Sequence, residues 1–211
     1  MRHNPAHATT DPEVVRDLIR ENPWATIVSA GGDGPVASHY PVLLDEDSSE
    51  LAVLTHVGRP DEEVHGFGED EVLVIVQGRH GYVSPSWYGP EATRAPTWNF
   101  SVAHLHGVPE ILDPEENLAT LTRLVERFER RVADPLYLDQ EWGREMSKGT
   151  VGLRVPVTRF VCKRKLSQDK DDLSRRQVIA ALREPGPYGH PELADEMEGV
   201  WEAELDAGRP R

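Results

Sequence analysis

Between residues 24 and 111, short stretches rich in β-branched and aromatic residues alternate with polar turns, and no other feature constrains the fold as tightly. Residues 24–29 and 36–44 read as two strands joined through Gly31-Gly32-Asp33-Gly34, a hairpin signal. A polar turn over 45–49 precedes a third strand at 51–55. Glu71-Val72-Leu73-Val74-Ile75-Val76 is almost wholly apolar, as in a strand buried on both faces, and Gly81-Tyr82-Val83-Ser84 follows as another strand. Beyond a loop over 85–96, residues 97–111 alternate as one long strand on which Val102, His104, His106 and Val108 share a face. Pro109 must then sit at an edge or bulge, because it has no N–H for a ladder. A late strand covers 151–157 and extends toward Val161. Many short strands with turns at near-regular spacing predict a closed or half-closed antiparallel sheet.

Helices flank this region. Asp11 is a cap, Pro12 fits the first helical position, and Val14, Val15, Leu18 and Ile19 share one face. Asp113-Pro114-Glu115-Glu116 opens the clearest helix, with Leu118, Leu121, Leu124, Val125 and Phe128 as its apolar stripe. Arg123, Arg127, Arg130 and Arg131 gather toward its C-terminal half, where they suit the dipole. A short helix at 60–67 and two more near 171–183 and 191–205 complete the pattern. The chain is thus expected to be mainly β (β plus α), an antiparallel barrel with peripheral helices.

The formal charge is −14, from 23 Lys and Arg against 37 Asp and Glu. Proteins that grip nucleic acid neutralise phosphates with cations, so this balance works against DNA as a partner. No apolar run approaches the ~20 residues of a membrane span. The opening Met1-Arg2-His3-Asn4-Pro5 leads into no apolar stretch, and the single Cys162 has no internal disulfide partner. A cytoplasmic location is the expectation.

Three segments mix aromatic or cationic residues with short hydrogen-bonding side chains: Tyr82-Val83-Ser84-Pro85-Ser86-Trp87-Tyr88, Ala95-Pro96-Thr97-Trp98-Asn99-Phe100 and Lys163-Arg164-Lys165-Leu166-Ser167-Gln168. A flat anionic ligand with a polar tail needs this mixture: a wall for its ring, amides and hydroxyls for its edge, cations for a phosphate. Each has a plainer reading too. Trp98 can be a core indole, Ser167 can cap a helix beginning near Asp169, and Trp87 with Tyr88 can be subunit contacts. His104 and His106 lack further ligands at zinc spacing, so no metal is expected.

These segments, in this order, together with His39-Tyr40-Pro41, His56 and the set Val102, His104 and Gly107, resemble the PaiB family of FMN-binding negative transcriptional regulators. The resemblance spans most of the chain. It implies an FMN-binding split barrel over residues 1–168 with a C-terminal helical extension over 169–211. It also implies an FMN site built by a homodimer and a role as repressor of transcription. Ser38 and His39 would face the flavin ring or its ribityl chain. Thr55, His56 and Arg59 would clamp the phosphate, Trp98 and Asn99 would meet the ring, and Lys165, Ser167 and Gln168 would add further contacts. Where the family carries Ala and an Asn-Pro pair after the histidine, this chain reads His56-Val57-Gly58-Arg59-Pro60-Asp61, which sets an acid beside the expected phosphate. The family's last motif ends in Asn, and Asp169 stands there here. Direct DNA contact would fall to Lys163, Arg164, Lys165, Lys170, Arg175 and Arg176. A flavin-dependent oxidoreductase and a haem-binding split barrel are the alternative activities of such a fold.

Overall fold

The computed structural model describes residues 4–31, 34–90, 95–206 and 208. Its first elements are strand β1 (Ala8–Thr9), helix α1 (Pro12–Glu21), strands β2 (Trp24–Gly31), β3 (Gly34–Leu44) and β4 (Ala52–Gly58), and the short helix α2 (Asp61–His65). Strands β5 (Val72–Val83), β6 (Thr97–Gly107) and β7 (Glu110–Ile111) come next, then helices α3 (Pro114–Glu129) and α4 (Gln140–Ser147). Strands β8 (Thr150–Pro156) and β9 (Arg159–Lys165) and helices α5 (Asp172–Arg183) and α6 (Pro191–Asp206) complete the order. The strands lie in the order β1-β9-β6-β5-β2-β3-β4-β8-β7. Their registers are antiparallel, as the turn-rich pattern predicts. Gly32 and Asp33 of the expected hairpin turn, and residues 91–94 of the expected loop, lie outside the described residues.

Two compact units interleave along the chain. One comprises Asp11–Gln77 and Ala103–Val161. Its helices start where capping chemistry dictates: Asp11 accepts from the Glu13 N–H at 2.9 Å, and Asp113 with Glu116 forms a reciprocal capping box. Strand β3 pairs with β2 from Gly34 to Pro41 and then with β4 from Val42 to Leu44, so one strand serves two successive pairings. The core holds Val15 and Ile19 from α1, Ile27 from β2, Val53 and Val57 from β4, and Leu153 from β8. Strand β5 departs from expectation: Val72, Val74 and Val76 are buried, whereas Leu73 and Ile75 are half-buried. An all-apolar run is compatible with both cases, because alternation between two degrees of burial leaves no polar mark.

The expected long strand at 97–111 is two strands, with a break at Val108 and Pro109. On β6 the buried face is Asn99, Ser101, Ala103, Leu105 and Gly107, while Val102, His104 and His106 lie on the half-buried face. Gly107 closes β6 against the end of β8, where a Cβ would stand 2.0 Å from the Pro156 carbonyl oxygen. Only a residue without a side chain allows this approach.

The other unit comprises Met1–Thr10, Gly78–Val102 and Cys162–Arg211. β1 pairs with β9, and Val83, Tyr88, Leu166, Val178, Leu182, Leu193 and Met197 form the unit's core, with Trp87 packed against it. Tyr88 is therefore a core residue of this unit. Helix α5 is capped by Asp171, which accepts from the Ser174 N–H at 2.8 Å; the capping role considered for Ser167 belongs to Asp171. No helix among the described residues is long and apolar enough to cross a membrane.

Candidate functional site

The expected site residues fall into two groups, one on each unit, and each group has its own chemistry. In the first unit, Ser38 and Tyr40 project from the same face of β3, since side chains two apart share a face. Asp61, the first residue of α2, accepts from the Tyr40 hydroxyl at 2.5 Å and from the Ser38 hydroxyl at 3.1 Å. The Tyr40 oxygen in turn accepts from the Gly58 N–H at 3.3 Å. Buried His65 continues the chain, with Nε2 2.9 Å from the Ser38 oxygen and Nδ1 2.9 Å from the Ser29 oxygen. Ser38 spends its proton on Asp61, so Nε2–H donates to Ser38 and Nδ1 accepts from Ser29. This assignment makes His65 neutral, and burial lowers its pKa in the same sense. His65 also stacks on Phe67, with centroids 4.6 Å apart.

His39 points the other way. It is exposed and stacks on Trp24, with centroids 6.5 Å apart. Thr55 is fully buried, and its hydroxyl donates to the Pro41 carbonyl at 2.7 Å. Arg59 forms an ion pair with Glu62 and keeps about half its side chain in solvent. Asp61, which the sequence sets beside the expected phosphate, is thus committed to two hydroxyls, and the cation next to it already has a carboxylate. His56 is different. Its Nδ1 is buried and has no hydrogen-bond partner among the described residues, and burial lowers its pKa. A buried unpaired ring nitrogen is costly to the fold.

In the second unit, Asn99 of β6 is fully buried, and its amide donates to the Ser167 hydroxyl at 3.0 Å. Ser167 adopts a left-handed backbone, φ 66°, in the turn after β9. The turn is fixed from both sides. Gln168 accepts from the Leu166 N–H at 2.7 Å and donates to the Arg164 carbonyl at 2.6 Å. Arg175 donates to the carbonyls of Ser167 and Gln168 and pairs with Glu204 at 2.8 Å. Lys165 donates to the Trp98 carbonyl at 2.8 Å and to the Thr97 hydroxyl, so its contacts are neutral oxygens. Burial lowers its pKa, with Asp169 acting in opposition. A cavity of about 160 Å³ opens here, lined by Tyr88, Thr97, Asn99, Lys165, Ser167 and Lys170 among others. Above this turn Trp98 is about half exposed, and His80 stacks near it at 6.2 Å.

In the second unit the residues fit an anionic group: Lys165 rests on neutral oxygens beside the Asn99 amide and the Ser167 hydroxyl, and the Asp169 carboxylate that also lines the cavity is paired with Lys170. Sequence reasoning missed Tyr40, Asp61 and His65 as one hydrogen-bonded chain, and Arg175 as the clamp of the 167–168 turn. The period-two spacing of Ser38 and Tyr40 was the available signal. Nothing local marks Arg175, whose partners lie in another segment. The basic cluster read from 163–176 is largely spent: Arg164 pairs with Glu196, Lys170 with Asp169, Arg175 with Glu204, and Arg176 lies over the Trp201 ring.

Fold and site chemistry together define a flavin-binding split barrel. The family model described as "Putative FMN-binding domain" matches residues 1–159, and the chain belongs to this FMN-binding, PaiB-type family. A curated relative, "Protease synthase and sporulation protein PAI 2" of Bacillus subtilis (strain 168), is 29% identical over 194 residues, covering 90% of this chain and 92% of its own. Among solved structures, the FAD and heme binding protein from Mycobacterium smegmatis superposes with a TM-score of 0.60 at 18% identity, covering 83% of this chain and 80% of that one. The flavocytochrome Anf3 from Azotobacter vinelandii gives 0.58 at 15% identity, with 78% and 72% covered. At these identities the likeness shows the fold, and the family membership makes FMN the cofactor.

Proposed function

We propose that this chain works as a homodimer that binds FMN with contacts from Asn99, Lys165 and Ser167 and acts as a negative regulator of transcription. The observation that carries the cofactor reading is Lys165, a part-buried cation held on neutral oxygens at a cavity that Asn99 and Ser167 also line, where the one described carboxylate, Asp169, is paired with Lys170. An anionic oxygen there would gain a charge-assisted bond. At about 160 Å³ the cavity is smaller than the ~300 Å³ at which ligand pockets begin, which favours completion by a second subunit. Exposed Trp24 and Trp98 supply apolar surface for such an interface. Bound flavin would supply the redox chemistry; the chain's residues bind and orient it.

Titration of FMN by fluorescence quenching tests this. Lys165→Ala should weaken binding by roughly ten- to a hundredfold, the value of one charge-assisted contact. Arg59→Ala should weaken it by less than about tenfold, because Glu62 already answers that charge. Wild-type affinity in Lys165→Ala would remove the turn after β9 from the site.

The regulatory reading rests on family membership and on the sporulation and protease role in the relative's name. The paired state of Arg164, Lys170 and Arg175 favours an effect on transcription that does not run through tight DNA contact by the isolated chain. A mobility-shift assay on its own promoter should show no salt-sensitive complex, while deletion of the gene raises target transcripts. Unchanged transcripts would overturn the regulatory role.

A further inference from the structure

A second cavity, of about 330 Å³, is lined wholly by residues of the unit that contains α1 and α3, none of which is among the candidate flavin contacts. Its floor is apolar: Ile19, Val42, Leu43 and Leu44 are all buried. Four guanidinium groups line it, from Arg20, Arg123, Arg127 and Arg130, with Glu46 and Glu126 as the facing carboxylates. In a chain of net charge −14, a cavity with two more cations than anions stands apart.

The four arginines are not equivalent. Arg20 is held by Glu46 through two hydrogen bonds, at 2.8 and 2.7 Å, and by Asp17 at 2.9 Å. Arg123 pairs with Asp47 at 3.3 Å. Arg127 donates to the Arg20 carbonyl, and among the described residues neither it nor Arg130 contacts a carboxylate. Burial first, and then the charges of Arg130 and Arg131, lower the Arg127 pKa, with Glu46 acting in opposition. A favourable interaction with the end of α3 explains single cations in its last turn. It does not explain guanidinium groups brought together over an apolar floor, where each raises the cost of the next.

We infer that this cavity is a binding site for a small phosphorylated organic molecule, with the phosphate on Arg127 and Arg130 and an apolar body on the Ile19–Val42–Leu43–Leu44 floor. Guanidinium forks match phosphate oxygens in pairs, and the cavity volume falls at the lower end of the small-ligand range of ~300–1,000 Å³. The site shares no residue with the proposed flavin contacts, so either can fail alone.

The test is calorimetric titration of the 211-residue chain as purified, with phenyl phosphate and with inorganic phosphate as probes. Phenyl phosphate should bind once per chain and more tightly than inorganic phosphate. Arg127→Gln and Arg130→Glu should each weaken it by about tenfold or more, while Lys165→Ala leaves it unchanged. Arg130 is exposed, so Arg130→Glu decides the matter even if Arg127→Gln lowers the melting temperature. Absence of binding up to about 10 mM, or equal affinity in Arg130→Glu, overturns the site. Inorganic phosphate binding as tightly as phenyl phosphate overturns the role of the apolar floor. Loss of binding in Lys165→Ala instead would move the phosphate to the flavin site and overturn the inference.

Discussion

Asp61 sits two positions after Arg59, and from the sequence its charge opposes a phosphate. In the fold its carboxylate accepts from Tyr40 and Ser38, and through Ser38 it orders His65 and Ser29. The residue types were legible, but the partners were not, because β3 and α2 meet only once β4 has placed them. The same holds for Thr55, whose hydroxyl goes to the Pro41 carbonyl, and for Asn99 and Ser167, which lie 68 positions apart and meet through a hydrogen bond. The distinction at Asp61 is testable by stability. Asp61→Asn keeps an acceptor oxygen for both hydroxyls and should cost less than about 1 kcal/mol. Asp61→Leu leaves two part-buried donors without an acceptor and should cost about 1–3 kcal/mol for each hydroxyl that finds no water. Urea unfolding of the two variants compares them directly. Equal losses would mean that the charge of Asp61, not its hydrogen bonds, holds α2 against β3.

Elements were read most reliably where a cap or a turn announces them. Asp11-Pro12 and Asp113-Pro114-Glu115-Glu116 open helices at the residues expected, because side-chain oxygen, proline and acid each satisfy a different need of a helix start. Helix α4 escaped notice: its apolar residues are few, and Gly143 stands in its middle where a Cβ would meet Leu118 at 2.7 Å. The end of β6 escaped as well. Pro109 signalled an interruption, but Gly107 is what permits the closing contact with β8. The Thr158 N–H donates to the His106 carbonyl at 2.9 Å beside it, which holds the two backbones together. Gly107→Ala would force its methyl group into the Pro156 carbonyl, and neither backbone can yield without breaking that bond. The expected loss is about 3 kcal/mol or more, at or beyond the upper end for overpacking, read as a drop in the urea midpoint. A variant within about 0.5 kcal/mol of wild type would show that the β6–β8 approach is looser than described.

For the whole molecule, the succession of strands and turns was sufficient to give an antiparallel sheet with peripheral helices, since period and turn chemistry are local properties. The division into units was not readable, because each unit is assembled from separated segments and no composition shift marks their joins. The net charge was readable and has a consequence that structure reverses. With a sequence pI near 5.0, lowering the pH from 7.5 toward 5.5 brings the net charge nearer zero and by itself would favour the compact state. Burial is the largest cause lowering the pKa of His56, His65 and His104 from the ordinary 6.5. These histidines are neutral in the fold, whereas in the unfolded chain they take up protons as the pH falls through about 6.5. The unfolded state then binds more protons, so stability is full above that pH and declines below it, until the lowered pKa values of the fold are reached. Each such histidine contributes up to about 1.4 kcal/mol per pH unit across that window, more than screened surface repulsion returns. Urea unfolding at pH 7.5, 6.5 and 5.5 in 0.5 M salt, where surface repulsion is largely suppressed, should give a midpoint that is flat above pH 6.5 and falls below it. His56 has burial as its only cause and no hydrogen bond at Nδ1 among the described residues, so His56→Phe should reduce the slope below pH 6.5. A midpoint that rises on acidification would mean that the net charge, and not the buried imidazoles, sets the pH dependence of the fold.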